Sequence, residues 1–179
     1  MNANDFQPLS SWGQTVSFRR DDRNTGAPAE TATVKVGEVV REGGAGRNFA
    51  VKILNGEPSG TSISTTLLGI VRAESTETAT ADGRVEVTTA TPGSIWRGKG
   101  TTAANFNTDA LLLGLLNDVV NFDVASGAIT IDEDVGSDQM AFCLKIVDGD
   151  TARGTLDVAV SLPYTMYGSQ AGHSNTGNG

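Results

Sequence analysis

The sequence is poor in the side chains that most often perform chemistry. His173 is the only histidine among 179 residues, and it lies in a C-terminal stretch of Gly, Ser and Asn. A Ser-His-Asp triad, a Cys-His pair or a histidine zinc site would therefore need a segment that cannot order itself. Walker-type and dinucleotide-binding glycine patterns are also absent. We expect no catalytic residues and no cofactor; only a glycosidase built on paired carboxylates is left open, because Asp and Glu are plentiful.

Cysteine is almost as scarce, since Cys143 is the only one. An intramolecular disulfide is excluded, and a chain of this length can bury about 70% of its unfolded surface without one. Cys143 lies in the apolar run MAFCLKIV, which lacks the basic, exposed surroundings that activate a thiol. We interpret it as a small buried hydrophobe.

Long apolar runs are missing as well. The N-terminal stretch MNANDFQPLSSW has neither the basic region nor the apolar core of a signal peptide. No run approaches the roughly eighteen apolar residues of a membrane span. We therefore expect a protein that is made and folded in the cytoplasm and that has no membrane partner.

Positive charge is depleted in the C-terminal part of the chain. Residues 1–100 contain 11 Lys and Arg and 11 Asp and Glu, whereas residues 101–179 contain 2 and 10, and the net charge is -8. Nucleic-acid binding requires a basic surface, so we expect no nucleic-acid partner. The acidity suits a basic partner surface, and it equally suits the simpler role of keeping the molecule soluble.

What the sequence does contain is alternation of Thr and Val with polar residues, which favours strands. The segment TATVKVGEVVR places Val34, Val36 and Val40 on one face of a predicted strand. A turn, GGAG, leads to NFAVKIL and completes a predicted hairpin. TTLLGIVRA predicts another strand, and TETATADGRVEVTTA predicts a hairpin that turns at Asp82 and Gly83. TPGSIWRGKGTTAANF has no periodicity and is interpreted as a functional loop or a crossover.

The most regular pair of predicted strands lies near the C-terminus. QMAFCLKIV and GTLDVAVSL both alternate strictly, so each presents one apolar face to the core. The predicted inward residues are Met140, Phe142, Leu144, Ile146, Leu156, Val158, Val160 and Leu162.

One stretch follows a helical period instead. Thr108 is a suitable N-cap and Asp109 suits the first turn of a helix, which predicts a short α-helix near residues 108–121. A strand followed by turns is the alternative. The apolar residues at helical spacing are Leu112, Leu115, Leu116, Val119 and Val120.

Together these elements predict an all-β fold, a β-sandwich of jelly-roll or related type with one short helix and extended termini. An immunoglobulin-like sandwich without its disulfide is the alternative. We expect an N-terminal arm at 1–13, a single sandwich domain at 14–167 and a flexible tail at 168–179. No repeat of fixed period is visible, which argues against propellers and solenoids.

The predicted short strand SGAITID ends in an acidic stretch, IDEDVGSD. Asp132, Asp134 and Asp138 with Gly136 between them offer oxygen ligands of the kind that calcium prefers. Their spacing departs from the twelve-residue calcium loop, and no glutamate closes it. We therefore favour a plain acidic turn and predict no metal.

Apolar residues near both ends of the sandwich are the candidate partner-binding residues. Phe6, Leu9 and Trp12 lie in a stretch without alternation, so they need a groove on a neighbouring subunit or on the chain's own sheet edge. We expect a neighbour. Tyr164 and Tyr167, after Pro163, complete the set.

In overall composition and arrangement of segments, the sequence resembles bacteriophage capsid decoration, or cement, proteins. The resemblance spans the chain and rests on the arm MNANDFQPLSSW, on Thr- and Val-rich strands such as TATVKVGEVV, on only four lysines and on the tail GSQAGHSNTGNG. It implies a non-enzymatic virion protein that binds the lattice of the major capsid protein from outside, as a homo-oligomer, dimer or trimer. No family motif matches particular positions, so no family residue is transferred.

Two other functions stay open at this point. A carbohydrate- or receptor-binding β-sandwich module would use exposed aromatics, for which Trp12, Trp96 and the two tyrosines are the candidates. A phage tail, neck or fibre component is the alternative among virion proteins.

Overall fold

The computed structural model describes residues 1, 5–10, 13–19, 33–42, 50–52, 67–76, 83–125, 128–134 and 144–160. Strands dominate this part of the chain, with one 3₁₀ helix (Ala103–Phe106) and one α-helix, α1 (Asp109–Leu115). In chain order the strands are β1 (Gln7–Ser10), β2 (Thr15–Arg19), β3 (Thr33–Val34), β4 (Val39–Glu42), β5 (Ala50–Lys52), β6 (Leu67–Ala73), β7 (Ser75–Thr76), β8 (Arg84–Thr89), β9 (Ile95–Lys99), β10 (Val119–Ala125), β11 (Ala128–Asp132), β12 (Leu144–Asp150) and β13 (Thr155–Val160).

The strands form two antiparallel sheets and one small pair. The six-stranded sheet has the order β1-β9-β13-β12-β10-β11, the five-stranded sheet has the order β2-β8-β6-β4-β5, and β3 pairs with β7. Apart from β1, the two sheets use separate parts of the chain, one before and one after residue 90. The prediction of an all-β, sandwich-like fold is confirmed.

One apolar core joins the two sheets. It combines Val39, Leu67 and Ile70 of the five-stranded sheet with Trp96 and Phe122 of the six-stranded sheet. A second core covers the other face of the five-stranded sheet. Because that sheet is buried on both faces, the consecutive residues of β6 are apolar and do not alternate. The second core contains Phe18, Val34, Val40, Ala50, Leu68, Val71, Val85 and Val87.

The two most regular predicted pairings are present. β4 and β5 form an antiparallel hairpin with Val40 opposite Lys52. β12 and β13 pair along their length with Ile146 opposite Val158, and their alternating apolar residues are buried as expected. Met140, Phe142, Cys143 and Leu162 lie outside the described residues.

The predicted single strand over residues 31–41 is wrong. Val36 and Gly37 form a turn between β3 and β4, and Gly37 has a φ of 90°. A carboxylate oxygen of Glu38 accepts a hydrogen bond from the Lys35 amide at 2.9 Å, which stabilises this turn. Val36 is therefore 56% exposed and does not face the core.

The predicted pairing of the Thr-rich segment also differs. β7 pairs with β3, and β8 pairs with β2 and β6. The predicted turn residue Asp82 lies outside the described residues. β8 is thus paired on both of its edges, and the first arm of the predicted hairpin, residues 77–82, lies outside the described residues.

The segment interpreted as a loop or crossover contains a central strand. β9 lies between β1 and β13, with Trp96 buried in the core. The two buried residues of this strand are Trp96 and Gly98. Because Gly98 has no side chain, the sequence lacks the second apolar residue that would complete an alternating pattern. The loop interpretation is therefore wrong for Ile95–Lys99.

The helix is shorter than predicted. It begins after Thr108, whose hydroxyl oxygen accepts a hydrogen bond from the Leu111 amide at 3.3 Å, as an N-cap does. It ends at Leu115, because Asn117 adopts a φ of 77° and donates its amide hydrogen to the Ile146 carbonyl. Val119 and Val120 belong to β10, so the extension of the helix to residue 121 is wrong.

Candidate interaction surfaces

The structure describes two of the five predicted partner-binding residues. Phe6 is 3% exposed, whereas Leu9 is 46% exposed. Trp12, Tyr164 and Tyr167 lie outside the described residues.

Phe6 is a core residue of its own chain. Its ring meets the ring of Phe122 edge-on, with centroids 5.5 Å apart and planes at 80°. Its amide donates to the Gly37 carbonyl at 3.0 Å. A β-carbon on Gly98 would lie 2.8 Å from Cδ1 and 2.9 Å from Cζ of this ring, so only glycine admits it there. In this chain Phe6 fills its own core, which corrects its assignment as a partner-binding anchor.

β1 extends this contact along the sheet edge. It pairs antiparallel with β9, with Gln7 opposite Arg97 and Ser10 opposite Ile95, and the register shifts between Pro8 and Ser10. The Ser10 hydroxyl oxygen accepts a hydrogen bond from the Ile95 amide at 3.1 Å. The N-terminal residues 5–10 are thus an edge strand of the sandwich and not a separate arm.

α1 presents an apolar surface that the sequence analysis did not single out. Leu111 is 46% exposed and Leu113 is 67% exposed. We call these two residues the α1 surface. Leu112 between them is buried, with Leu115 and Leu116 packed against the same core. A signal was available, since one face of a short helix cannot bury three consecutive leucines.

The surroundings of the α1 surface are acidic. Asp109 lies in the first turn of α1, and exposed Asp118 follows the helix. No Lys or Arg occurs between Lys99 and Lys145, a stretch that contains the whole helix and both flanks. The α1 surface is therefore a small apolar patch in an acidic setting.

The acidic stretch 132–138 forms a turn where it is described. The Asp132 carboxylate accepts a hydrogen bond from the Asp134 amide at 3.1 Å, and Asp138 lies outside the described residues. Within the described ranges, no group of three or more His, Cys, Asp or Glu side chains is arranged to hold a metal ion.

Glu133 is a buried carboxylate with a structural role. It accepts hydrogen bonds from the Thr101 amide at 3.0 Å, the Thr102 amide at 2.7 Å and the Asn105 side chain at 3.2 Å. These bonds fasten the start of the 3₁₀ helix to β11, where Gly100 also forms a parallel bridge with Ile131. The neighbouring helix α1 is positioned by the same connection.

The buried carboxylate of Asp157 is paired with Arg97 on the adjacent strand. Arg97 Nε and one terminal nitrogen each donate to a separate Asp157 oxygen at 2.7 Å. The hydrogen bond to Asp157 raises the pKa of Arg97 above its ordinary value, partly opposed by burial, and the charges of Asp157, Asp150 and Asp148 add to the rise. The pair joins β13 to β9, the strand that carries Gly98 and pairs with β1.

Aromatic residues in the described part of the chain are not available as a ligand platform. Trp96 is 1% exposed, so it cannot stack on a sugar, and the other candidates for that role, Trp12, Tyr164 and Tyr167, lie outside the described residues. The other described aromatics are buried too: Phe6, Phe18, Phe106 and Phe122.

Compared with protein-family models, curated proteins and solved structures, the chain matches none of them. In the part of the chain that the structure describes, no helix has the length and apolar character needed to span a membrane.

Proposed function

We propose that this protein is a non-enzymatic structural protein of a virus particle, which binds the outer surface of an assembled capsid and stabilises it. The virion assignment rests on the resemblance of the sequence to decoration proteins. The observation on which the binding role rests is the α1 surface.

Two leucines on a seven-residue helix suit protein binding. Fully burying a leucine contributes about 1.5–3 kcal/mol relative to leaving it in water, and here much of each side chain is still to be covered. A single patch of this size binds weakly. Repeated over a lattice by an oligomeric protein, the same patch gives stable attachment through multivalency.

The helix is fixed before a partner arrives. Thr108 caps its start, and Leu112, Leu115 and Leu116 hold its inner face against the core. Its backbone is already ordered, so binding costs little additional conformational entropy. This favours a preformed contact surface over a segment that folds on docking.

The acidic setting defines the partner surface further. Asp109 and Asp118 flank the two leucines, so the complementary surface is an apolar depression with Lys or Arg at its rim. Attraction between the opposite charges would accelerate association and make it weaker at high salt.

The virion assignment is tested by a quantitative protein census of purified particles from the source of the sequence. We expect this chain at a fixed ratio to the major capsid protein, together with greater resistance of the shells to heat when it is bound. A ratio of a few copies per particle would instead indicate a tail, neck or fibre component. Absence from particles would contradict the proposal.

A further inference from the structure

The dipeptide Asp148–Gly149 lies in β12 at the point where the pairing with β13 is irregular. The register shifts between Ile146 and Asp148, which leaves Asp148 opposite Asp157. Asp148 is exposed, and Gly149 is partly buried. The Oδ1 atom of the Asp148 carboxylate accepts a hydrogen bond from the amide of Gly149 at 2.8 Å. The side chain is therefore folded back against its own main chain, within reach of solvent.

The fold requires glycine at position 149. A β-carbon there would lie 2.9 Å from the Thr155 carbonyl oxygen, 3.0 Å from Cδ1 of Leu112 and 3.2 Å from Cδ2 of Leu156. The carbonyl oxygen belongs to the main chain of β13, and Leu112 is the buried residue of α1. Neither can give way without a shift of the packed element that carries it. A residue with a side chain therefore cannot follow Asp148 unless β13 or the helix is displaced.

The contact places a nucleophile beside an electrophile. When the Gly149 amide loses its proton, the electron pair left on nitrogen points along the former N–H bond, towards the Asp148 carboxyl group. Attack on the carboxyl carbon Cγ forms a C–N bond and closes a five-membered succinimide. The C–O bond to the hydroxyl of the protonated carboxyl breaks, and this hydroxyl leaves with the amide proton as water. Glycine adds no side chain that would crowd the ring, and groups held in this orientation are close to an attack conformation.

Water then opens the succinimide at one of its two carbonyl carbons. Opening at Cγ restores aspartate. Opening at the main-chain carbonyl carbon of residue 148 leaves the peptide bond to Gly149 on the former side chain, which is an isoaspartate. The water lost in the first step is regained in the second, so the reaction needs no other reactant and leaves the mass of the chain unchanged.

We propose that Asp148 and Gly149 form a site at which the folded protein isomerises, producing an isoaspartate at position 148 through a succinimide. The product has one additional carbon in the main chain of β12, directly before the glycine on which Leu112 packs. The modification therefore alters the strand that supports α1. The reaction itself does not depend on the proposed capsid-binding role.

The test follows the full-length folded protein during prolonged incubation at mildly acidic pH and physiological temperature, with the same chain unfolded in urea as the reference. Trypsin cleaves after Lys145 and Arg153 and releases residues 146–153 as one peptide. Chromatography separates the isoaspartyl form of this peptide, and electron-transfer fragmentation locates the isomer. We expect isoaspartate at position 148 to accumulate in the folded protein at least as fast as in the unfolded chain. Slower formation in the folded protein would overturn the proposal, because the fold would then hinder the attack.

Asp150 is an internal control in the same tryptic peptide. Its Oδ1 atom accepts a hydrogen bond from the Arg153 amide at 3.0 Å, so its carboxylate is held towards Arg153 and not towards the amide of Thr151, the next residue. We expect the isomer at position 148 and not at position 150. Equal isomerisation at the two positions in the folded protein would overturn the proposal.

Two variants at the exposed position 148 test the chemistry. Asp148→Glu keeps the charge but cannot close a five-membered ring, so the isomer should not form over the same period. Asp148→Asn should reach the same succinimide by losing ammonia, and its tryptic peptide should then acquire the mass of the aspartate peptide. An isomer that forms equally in Asp148→Glu, or an Asp148→Asn peptide that keeps its original mass, would overturn the proposal.

Discussion

The ring of Phe6 lies over the α-carbon of Gly98, in the space that a β-carbon would occupy. All five strands of the five-stranded sheet lie between Phe6 and Gly98 in sequence, yet a β-carbon at position 98 would collide with the Phe6 ring. This contact ties the N-terminal segment to β9, the strand next to the edge of the six-stranded sheet.

We predict that Phe6→Ala lowers the free energy of unfolding by about 3–5 kcal/mol, because it empties an aromatic site in the core. Gly98→Ala should cost about 1–3 kcal/mol or more, because it forces the ring to move. In the double variant the added alanine should cost far less than it does alone, since the ring that it meets is gone. Urea unfolding of the four proteins measures the coupling. Additive costs would show that Gly98 does not accommodate Phe6.

Glu133 gives a prediction about the connection that positions α1. Glu133→Ala removes the acceptor for two backbone amides and the Asn105 side chain, so we expect a loss of about 2–3 kcal/mol, the scale of hydrogen bonds to a charged group. The matched control is Asp134→Ala, an exposed neighbour, which should change stability by no more than about 0.5 kcal/mol. Thermal or urea unfolding measures the stability loss in each variant. Equal losses in the two variants would contradict the role assigned to Glu133.

The Arg97–Asp157 pair predicts that removing one partner destabilises the protein, whereas replacing both partners with apolar residues does so much less. Arg97→Ala leaves the Asp157 carboxylate buried without its partner and should cost about 3 kcal/mol, whereas Arg97→Met with Asp157→Leu should recover most of that loss. Arg153→Ala is the control: it breaks only an exposed pair with Asp150 at 3.5 Å and should cost about 0.5 kcal/mol or less. A double variant as unstable as Arg97→Ala would contradict this account.

The pH dependence of that pair follows from the raised pKa of Arg97. A raised folded-state pKa contributes stability below the unfolded pKa, and this stability is lost only as the pH rises through the folded value. For arginine both values lie above the range in which proteins are normally handled. The stability difference between the wild type and the Met/Leu variant should therefore stay constant from about pH 7 to pH 10. A steady decline over that interval would show that another group controls the pair.

The sequence predicted the parts of the fold in which side-chain alternation is unbroken. β13 and the start of β12 alternate, and their pairing was predicted correctly, although the register shifts between Ile146 and Asp148. β9 was not predicted as a strand, because Gly98 occupies an inward position without contributing an apolar side chain. The helix was extended too far because Val119 and Val120 fit a helical period as well as a strand, and the positive φ of Asn117 has no strong signal in the sequence.

The candidate surfaces were predictable to different degrees. The apolar character of Phe6 and Leu9 was evident, but sequence alone does not say whether such residues meet their own chain or a neighbour. Gly98, which decides the matter for Phe6, is 92 positions away. The exposed leucines were accessible to sequence reasoning, because a helix that packs one face on a sheet leaves part of the run Leu111 to Leu113 in water.

The most direct test of the central claim is co-sedimentation with assembled capsids, comparing the wild type with Leu111→Gln/Leu113→Gln. Glutamine keeps the length and helix propensity of leucine and removes its apolar end. Val36→Gln changes an equally exposed residue at the β3–β4 turn and serves as the matched control. We predict that the wild type and the control pellet with capsids at a fixed ratio, while the double variant, with an unchanged melting temperature, binds at least tenfold more weakly. Wild-type protein that stays in the supernatant, or a double variant that pellets as the wild type does, would contradict the account.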